Sequence, residues 1–461
     1  MKMPSDPPDV SKIFGDKDKM QEVIKNLERA DVHKFVDKVN DNYYYWDEIR
    51  YRSPPKDIKN DSLWALIKLL RTLKATQINI GKTKLLDIKF NLSNPILEKL
   101  HEFDMNLGGS ISTTSIIPEE DRDRYLISSL MEEAIASSQL EGAVTTRKVA
   151  KEMLRTSRKP RDRSEQMILN NYLTIKRIIE LKNDPLTTER LLEIHALITR
   201  NTLDDKKYEG RFRDTNDVHV IDRMTGESVH VPPDHKLVPQ LVRDVCDFAN
   251  KMQKQKFIHP IIKASILHFL IGFVHPFEDG NGRAARAIFY WYLISNEYWL
   301  IEYMPISKTI IRAPSQYARA YLHSEKDEND VTYFIKYKIR TIHIALKDLK
   351  EYISKKIKEK DKLFKFLQID GLNDRQRYIL NKLSEDSKRT LTINEAKNTF
   401  DVVYQTARSD LLHLENLGFI ERRMIGNKYI FIRAKDFDQV IKKKMKESKK
   451  KRSDFQMRLM P

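Results

Sequence analysis

The sequence has a single cysteine, Cys246, among its 461 residues. One thiol excludes an intramolecular disulfide and any metal centre built from several cysteines. Glycine is also scarce, with 13 residues, so flexible linkers are few and each glycine cluster is informative. The most apolar stretch, 257–277, is interrupted by histidine, proline and lysine, which makes it a poor membrane span. The first ten residues are polar and show no signal peptide, so we expect a cytoplasmic protein without a membrane partner.

The remaining composition is that of a folded, basic protein. Lysine and arginine total 83 against 66 aspartates and glutamates, a net charge of +17, and 40% of residues are hydrophobic. At about 150 residues per domain, this length predicts about three domains. Helical periodicity dominates and predicts a mainly α fold. The expected segments are an N-terminal helical region at 1–110, a core at 111–325, a connecting helix at 326–367, a winged helix at 368–435 and a basic tail at 436–461.

The most informative segment is the loop 275–286, with the sequence HPFEDGNGRAAR. The run Gly280-Asn281-Gly282 permits left-handed backbone angles, so successive N–H groups can converge into a nest for an anion. The next helix begins there, and Arg283 and Arg286 lie three residues apart on one of its faces. A helix N-terminus, a nest and two arginines together predict a polyphosphate site.

Two further side chains of the loop suit chemistry on a bound phosphate. Asp279 is a candidate ligand for magnesium, which prefers one or two carboxylates together with phosphate oxygens. His275 can act as a general base at neutral pH. The alternative is a plain loop between two helices, with a buried histidine and solvated arginines. A P-loop is excluded, since the glycines are not followed by Lys-Ser/Thr.

This loop resembles the signature of the Fic family, enzymes that transfer AMP from ATP onto protein hydroxyls. The resemblance implies that His275 deprotonates the target hydroxyl and that Asp279 holds Mg²⁺ (or Mn²⁺). It implies an ATP or phosphate site that includes a loop anchor, the anion hole and two phosphate ligands: Phe277, Gly280, Asn281, Gly282, Arg283 and Arg286. Relatives that transfer phosphate carry lysine where this chain has Gly282, which argues against kinase activity.

A second match is the sequence SSQLEG from Ser137 to Gly142, at the end of a helix expected at about 124–142. It resembles the family's inhibitory helix. The resemblance implies that Glu141 pairs with Arg286 and fills the place of the γ-phosphate, with Ser137 one helical turn earlier on the same side. Taken alone, the six residues are typical of an ordinary helix end.

The segment 217–231 predicts a β-hairpin at the position of the family's flap, after the element 208–213, YEGRFR, which also resembles the family. An exposed strand edge there could pair with an extended segment of the target protein. The residues expected to dock the target are those of the two strands: Val218, His219, Val220, Val229, His230 and Val231. The alternative is a hairpin that simply covers the core.

Three helices followed by a hairpin, from residue 370 to 432, form the winged-helix pattern. Gln405, Thr406 and Arg408 lie near the start of the third helix, where side chains can reach DNA bases. Acidic residues, among them Asp410, reduce the positive charge there. Winged helices also dock proteins or form dimers, so DNA, a partner protein and a homodimer all stay open.

The tail 442–452 holds eight lysines and arginines and one acidic residue. Such a run is typical of a solvated, mobile tail, and beside a winged helix it could add contacts to DNA phosphates.

The favoured interpretation is therefore a Fic-type helical core with a β-hairpin flap and a C-terminal winged helix-turn-helix domain. Its expected function is protein adenylylation of a Ser, Thr or Tyr hydroxyl of a target protein or of itself, with ATP as substrate and autoinhibition by Glu141. Two alternatives remain: a nucleotide-sensing, DNA-binding regulator, and a hydrolase that removes AMP from modified proteins at the same site.

Overall fold

The structure is a computed structural model that describes residues 3–108, 117, 119–221, 226–250, 257–367, 369–386, 389–426 and 428–459. It contains two compact units, Met1–Leu349 and Lys350–Pro461. Both are mainly helical, as the sequence predicts. None of the described helices is long and apolar enough to cross a membrane.

The first unit begins with a group of helices and a short antiparallel pair of strands. These elements are α1 (Ser11–Phe14), α2 (Lys17–Leu27), α3 (Ala30–Asn42), α4 (Trp46–Ile49), α5 (Asn60–Lys74), β1 (Thr76–Ile78), β2 (Ile88–Phe90) and α6 (Asn94–Leu107). The apolar faces of α1 to α5 pack together in a core that includes Trp64 and Val36. A buried ion pair joins Lys68 to Asp327, with 2.5 Å between Nζ and Oδ1. The predicted boundary at 110/111 lies outside the described residues.

The central part of the first unit continues with α7 (Arg122–Leu140), α8 (Arg147–Thr156), α9 (Arg163–Glu180), α10 (Thr188–Thr199), β3 (Val220–Ile221), β4 (Ser228–His230), α11 (Val238–Asn250), α12 (Pro260–Val274), α13 (Asn281–Ser295), α14 (Ile306–Ile310) and α15 (Pro314–Lys326). Helix α16 (Thr332–Leu367) begins in the first unit and continues past Leu349 into the second. Short 3₁₀ turns lie at Lys84–Leu86, Glu119–Asp121, Lys206–Tyr208, His235–Leu237 and Trp299–Tyr303.

Helices α12 and α13 form the centre of this unit. Each is apolar around most of its circumference, which requires burial on all sides. They pack against each other, and α7, α9 and α10 pack against α13. The loop between the two central helices is residues 275–280, so the predicted phosphate site lies at the end of two almost wholly buried helices.

The second unit contains α17 (Asp374–Glu385), β5 (Thr390–Leu391), α18 (Ile393–Phe400), α19 (Tyr404–Asn416), β6 (Ile420–Ile425), β7 (Lys428–Arg433) and α20 (Phe437–Leu459). Its sheet is antiparallel with the order β5-β7-β6. This arrangement confirms the predicted winged helix.

The C-terminal segment differs from the expected mobile tail, because the basic run lies within helix α20. Phe437 and Ile441, at the start of that helix, are buried in the core of the second unit. This apolar anchor fixes the first turn, and lysine is a good helix former that extends it.

Candidate active site

His275 lies where helix α12 ends, in a left-handed conformation with φ of 48°. Its Nδ1 is 3.1 Å from the carbonyl oxygen of Gly272. Because a carbonyl only accepts hydrogen bonds, Nδ1 carries the proton and Nε2 has a free lone pair. Burial lowers the pKa of His275 to about 4, so the imidazole is neutral at pH 7. Neutral imidazole with an unprotonated Nε2 is the form that a general base needs.

The backbone of the loop is held by two buried side chains. Phe277 is fully buried and stacks on His195, with 3.7 Å between the ring centroids. The side-chain amide of Asn281 accepts from the Phe277 N–H at 2.9 Å and donates to its carbonyl at 2.8 Å. Asn281 thus pins the loop with its side chain, so any contact it makes in the predicted anion hole would come from its backbone N–H. His195 Nε2 also contacts the Asp279 carbonyl at 2.9 Å.

Gly280 supplies the turn that starts helix α13. Its φ of +86° is strained for residues with a side chain, and a Cβ there would crowd Thr199 and Ile198. The N-terminal N–H groups of α13 then face the space beside Gly282. A Cβ built on Gly282 would overlap Oε1 of Glu141, so that carboxylate lies directly against the Gly282 backbone.

The two arginines of the loop differ in their surroundings. Arg283 is buried and donates to the Ile198 carbonyl at 3.2 Å and to Oδ2 of Asp279 at 3.3 Å. Its Nε makes no hydrogen bond to the part of the chain that the structure describes. Burial disfavours the charged form and lowers the pKa of Arg283, and the unbonded Nε leaves one donor of the guanidinium unsatisfied.

Arg286 donates three hydrogen bonds to residues at the end of helix α7. Its Nη2 donates to Oε1 of Glu141 at 2.8 Å and to the Ser137 carbonyl at 3.0 Å, and its Nε donates to Oγ of Ser137 at 2.8 Å. The Arg286 side chain is 3% exposed and that of Glu141 is 24% exposed. Gly142 has φ of +101° and follows as the chain leaves the helix. Ser137 and Glu141 of the second motif are therefore brought to Arg286.

Helix α7 is fixed two turns earlier by Glu133, which the sequence analysis missed. This buried carboxylate accepts hydrogen bonds from the Tyr290 hydroxyl at 2.9 Å, from the Ser307 N–H at 2.8 Å and from the Ser307 hydroxyl. Burial raises the pKa of Glu133. The contacts tie α7 to α13 and α14.

The predicted flap is a hairpin with shorter strands than expected. Val220 and Val229 lie in β3 and β4, whereas Val218 and His219 precede β3 and Val231 follows β4. The register is irregular at Val220. Gly226 of the predicted turn has a φ of 71°, and residues 222–225 lie outside the described residues.

A mostly apolar cavity opens between the flap, α15 and the loop. It is bounded by His275, Gly282 and Glu141 on the loop side. Its other walls are Gly272 of α12 together with residues of the flap and of α15: Val220, Val229, His230, Tyr317, Ala318, Tyr321, Leu322 and Glu325. The sequence analysis missed α15, whose only signal was two tyrosines four residues apart.

Asp279 is the only predicted metal ligand, and its carboxylate is 42% exposed. Its Oδ1 accepts from the Gly280 N–H at 2.5 Å, and its Oδ2 faces Arg283. No group of three or more His, Cys, Asp or Glu side chains in the described ranges could hold a metal ion. A metal at Asp279 would therefore require oxygen ligands from a bound substrate.

In the second unit, Gln405 and Arg408 are exposed on the first turns of α19, and Thr406 is half-buried. Asp410 was predicted to reduce the positive charge of this face, and that prediction was wrong. Asp410 is buried and accepts from the Asn373 amide and from Nε of Arg375, both at 2.6 Å. The exposed face of α19 is therefore more basic than its sequence suggests.

Residues 185–293 match the model of the Fic/DOC family, and residues 375–430 match that of the DeoR-like helix-turn-helix domain. Protein adenylyltransferase fic-1 of Caenorhabditis elegans is 32% identical over 111 residues, which are 24% of this chain and 20% of that protein. A probable protein adenylyltransferase of Aquifex aeolicus is 27% identical over 28% of this chain and 38% of its own length.

Among solved structures, a Fic family protein from Desulfovibrio desulfuricans aligns over 78% of this chain and 99% of its own, with 18% identity and a TM-score of 0.46. The chain matches only 20% to 38% of the length of the two curated relatives. The segment that matches the family model contains the loop 275–286.

Proposed function

We propose that this chain, which contains a Fic domain and a DeoR-like helix-turn-helix domain, is a protein adenylyltransferase inhibited by its own Glu141. One observation carries the proposal. A neutral histidine with a free Nε2 lies beside a helix N-terminus and two arginines, and a carboxylate of the same chain lies in that anion site. A base beside a phosphate site suits transfer of a nucleotide to a hydroxyl.

The reaction begins when Nε2 of His275 takes the proton of a target Ser, Thr or Tyr hydroxyl. The hydroxyl oxygen attacks the α-phosphorus of ATP, the bond from that phosphorus to the bridging oxygen breaks, and pyrophosphate leaves. The N–H groups around Gly280 and Gly282 hold the phosphate oxygens together with Arg283 and Arg286. Positioning and charge neutralisation supply most of the rate enhancement.

The apolar cavity beside Gly282 is a suitable site for the adenine base. Tyr317 and Tyr321 offer aromatic surface, and Val220 and Val229 close the opposite side. A purine ring buries well against such walls, and its phosphates would then extend past Gly282 towards Arg286.

Asp279 fits Mg²⁺, because it offers a partly exposed carboxylate next to the phosphate site. When bound, the ion would neutralise charge on the phosphate oxygens. Its present partner, Arg283, contacts Oδ2 at 3.3 Å, a long hydrogen bond that a stronger ligand could replace.

Glu141 inhibits by competition for one cation. Arg286 donates to it through Nη2, and the same nitrogen would be needed for the γ-phosphate. The carboxylate also lies against Gly282, where a phosphate would approach the backbone. The two anions cannot share this space, so ATP binds productively only after Glu141 moves.

The decisive experiment measures AMP incorporation from α-labelled ATP with Mg²⁺ by three proteins: wild type, Glu141→Gly, and Glu141→Gly with His275→Ala. We expect label on Glu141→Gly that is lost with His275→Ala. No label on any variant, with ATP binding intact, would favour a nucleotide-sensing regulator. Release of AMP from a pre-modified protein by the wild type would favour the hydrolase.

A second function is favoured by the charge distribution. Residues 350–461 hold 28 lysines and arginines against 16 acidic residues, so they carry +12 of the net charge of +17. With the exposed Arg408 and Gln405 on α19, this favours DNA binding by the second unit. Binding of the full chain to duplex DNA should weaken steeply with salt. It should weaken further with Arg408→Ala, whereas Arg155→Ala, at an exposed site of the first unit, should bind as the wild type.

A further inference from the structure

The flap is attached to the core through His230, whose two ring nitrogens both have partners. Nε2 is 2.8 Å from the carbonyl oxygen of Phe273, in the last turn of α12, and Nδ1 is 2.9 Å from Oε2 of Glu325, on α15. The His230 side chain is 9% exposed. A side chain of the flap hairpin is therefore bound to two separate core helices.

These contacts define the charge state of the ring. The Phe273 carbonyl can only accept, so Nε2 carries a proton, and a carboxylate at Nδ1 is satisfied only if that nitrogen is protonated as well. Burial opposes the charged form, but the Glu325 carboxylate and the Phe273 carbonyl outweigh it and raise the pKa of His230. The other charged group that acts on the ring is Arg213, which disfavours the cation. The nearby His275 is neutral.

The same turn of α12 also orients the general base. Nδ1 of His275 is bonded to the Gly272 carbonyl, and Nε2 of His230 is bonded to the adjacent carbonyl of Phe273. Strand β4 and the imidazole of His275 are thus hydrogen-bonded to two successive carbonyl groups of α12. A shift of one relative to the other requires that one of these bonds breaks.

Both ends of the flap are fixed separately by Arg213. Its guanidinium donates to the carbonyls of Thr215, before the flap, and of Pro233, after it, and its Nε donates to the His275 carbonyl at 2.9 Å. Arg213 therefore holds the base of the hairpin, which leaves His230 as the contact that sets the position of β4 itself.

We propose that His230 is a positioning residue for the acceptor protein, which fixes β4 at the distance from His275 at which a hydroxyl paired with the flap meets Nε2. The inference rests on the proposed adenylyltransferase function. It predicts that His230 and Glu325 affect the KM for the acceptor protein. Since both nitrogens are already bonded, the ring has no free donor for the nucleotide.

The first test uses the Glu141→Gly chain as enzyme and the full chain with His275→Ala as acceptor. His230→Gln keeps one donor but loses the charge, and we expect it to raise the KM for the acceptor about tenfold or more, the usual effect of losing a charge-assisted hydrogen bond. The KM for ATP should rise by less than the KM for the acceptor, because β4 also carries Val229 of the proposed adenine cavity and His230 itself lines that cavity. His33→Gln, which replaces an exposed histidine paired with Asp37 on helix α3, is the matched control and should change neither constant. An equal rise in the KM for ATP, or no rise for the acceptor, would overturn the assignment.

The second test needs no activity. Amide hydrogen exchange of residues 228–230 in the full chain, corrected for intrinsic rates, should be faster in His230→Gln than in wild type or His33→Gln. In wild type it should accelerate when the pH rises past the pKa of His230, because the neutral ring loses the Glu325 contact. Glu325→Gln should remove this dependence on pH. Slow exchange in His230→Gln would overturn the proposal, whereas fast exchange with no AMP transfer by Glu141→Gly would reject the proposed function on its own.

Discussion

Removal of the Glu141 carboxylate should activate AMP transfer by an amount that the structure allows to be worked out. ATP must displace this carboxylate from Arg286, where a single charge-assisted hydrogen bond of 2.8 Å holds it. Such bonds contribute about 1.5–3 kcal/mol. Because each 1.36 kcal/mol is a factor of ten, the expected gain is about 10- to 100-fold at ATP concentrations where the wild type is not saturated.

The assay compares initial rates of AMP incorporation for Glu141→Gly and Glu141→Gln with the wild type. Gln keeps the shape and a weak hydrogen bond to Arg286, so its rate should lie between the other two. Glu98→Gln, at an exposed position of helix α6, removes the same charge far from the loop and should leave the rate unchanged. Thermal unfolding of each variant checks that the fold is retained.

One pattern of results would refute this reasoning. If Glu141→Gly and Glu141→Gln transfer AMP no faster than wild type, while His275→Ala still abolishes the residual rate, the active site is correct and the carboxylate is not the inhibitor.

Ser137→Ala provides a graded check. It removes the bond to Nε of Arg286 but keeps the Ser137 carbonyl contact, so we expect an increase of only a few-fold.

Further predictions concern pH, the metal and stability. With the pKa of His275 near 4, the rate of Glu141→Gly should not fall between pH 8 and about 5, whereas an ordinary histidine would lose activity near 6.5; a pH–rate profile tests this. Asp279→Asn should raise the Mg²⁺ concentration needed for half-maximal transfer, as a metal titration would show. Glu133→Ala should destabilise the fold by about 2–4 kcal/mol in denaturant unfolding, because it leaves buried donors unsatisfied. Burial lowers the pKa of Lys338 to about 7, so the unfolded chain binds the Lys338 proton more tightly than the folded chain does. The free energy of unfolding should therefore rise from pH 7 towards pH 10. Lys338→Met should be more stable than wild type at pH 7 and should not show that rise, which denaturant unfolding at several pH values tests.

The loop could be predicted from the sequence because its chemistry is contiguous. Gly280, Asn281 and Gly282 encode the turn, and the arginines follow within the next helix, so local rules suffice. Glu141 is different, since 145 residues separate it from Arg286. No spacing rule connects two such distant positions, and only the resemblance to a family suggested that pairing.

The residues that the sequence analysis missed have no local signal. His195 and Glu133 lie in helices whose periodicity is that of an ordinary core, and their roles depend on which helix packs opposite them. Asp410 was misjudged for the same reason. Its carboxylate accepts hydrogen bonds from Asn373 and Arg375, which contact it only once α17 and α19 have packed. Burial of a charge is a tertiary property that composition does not encode.

The arrangement of α7 also limits how the proposed inhibition by Glu141 could be relieved. Glu133 ties the middle of the helix to Tyr290 and Ser307 through buried hydrogen bonds, so moving the whole helix would leave several donors unsatisfied. Glu141, by contrast, is the residue at which the helix ends, is 24% exposed and is followed by Gly142 in a left-handed turn. The least costly release is therefore a rotation of the Glu141 side chain with a local opening of the last turn. Activation should accordingly loosen residues 138–142 in hydrogen exchange while residues around Glu133 stay protected, and equal loosening of both would contradict this account.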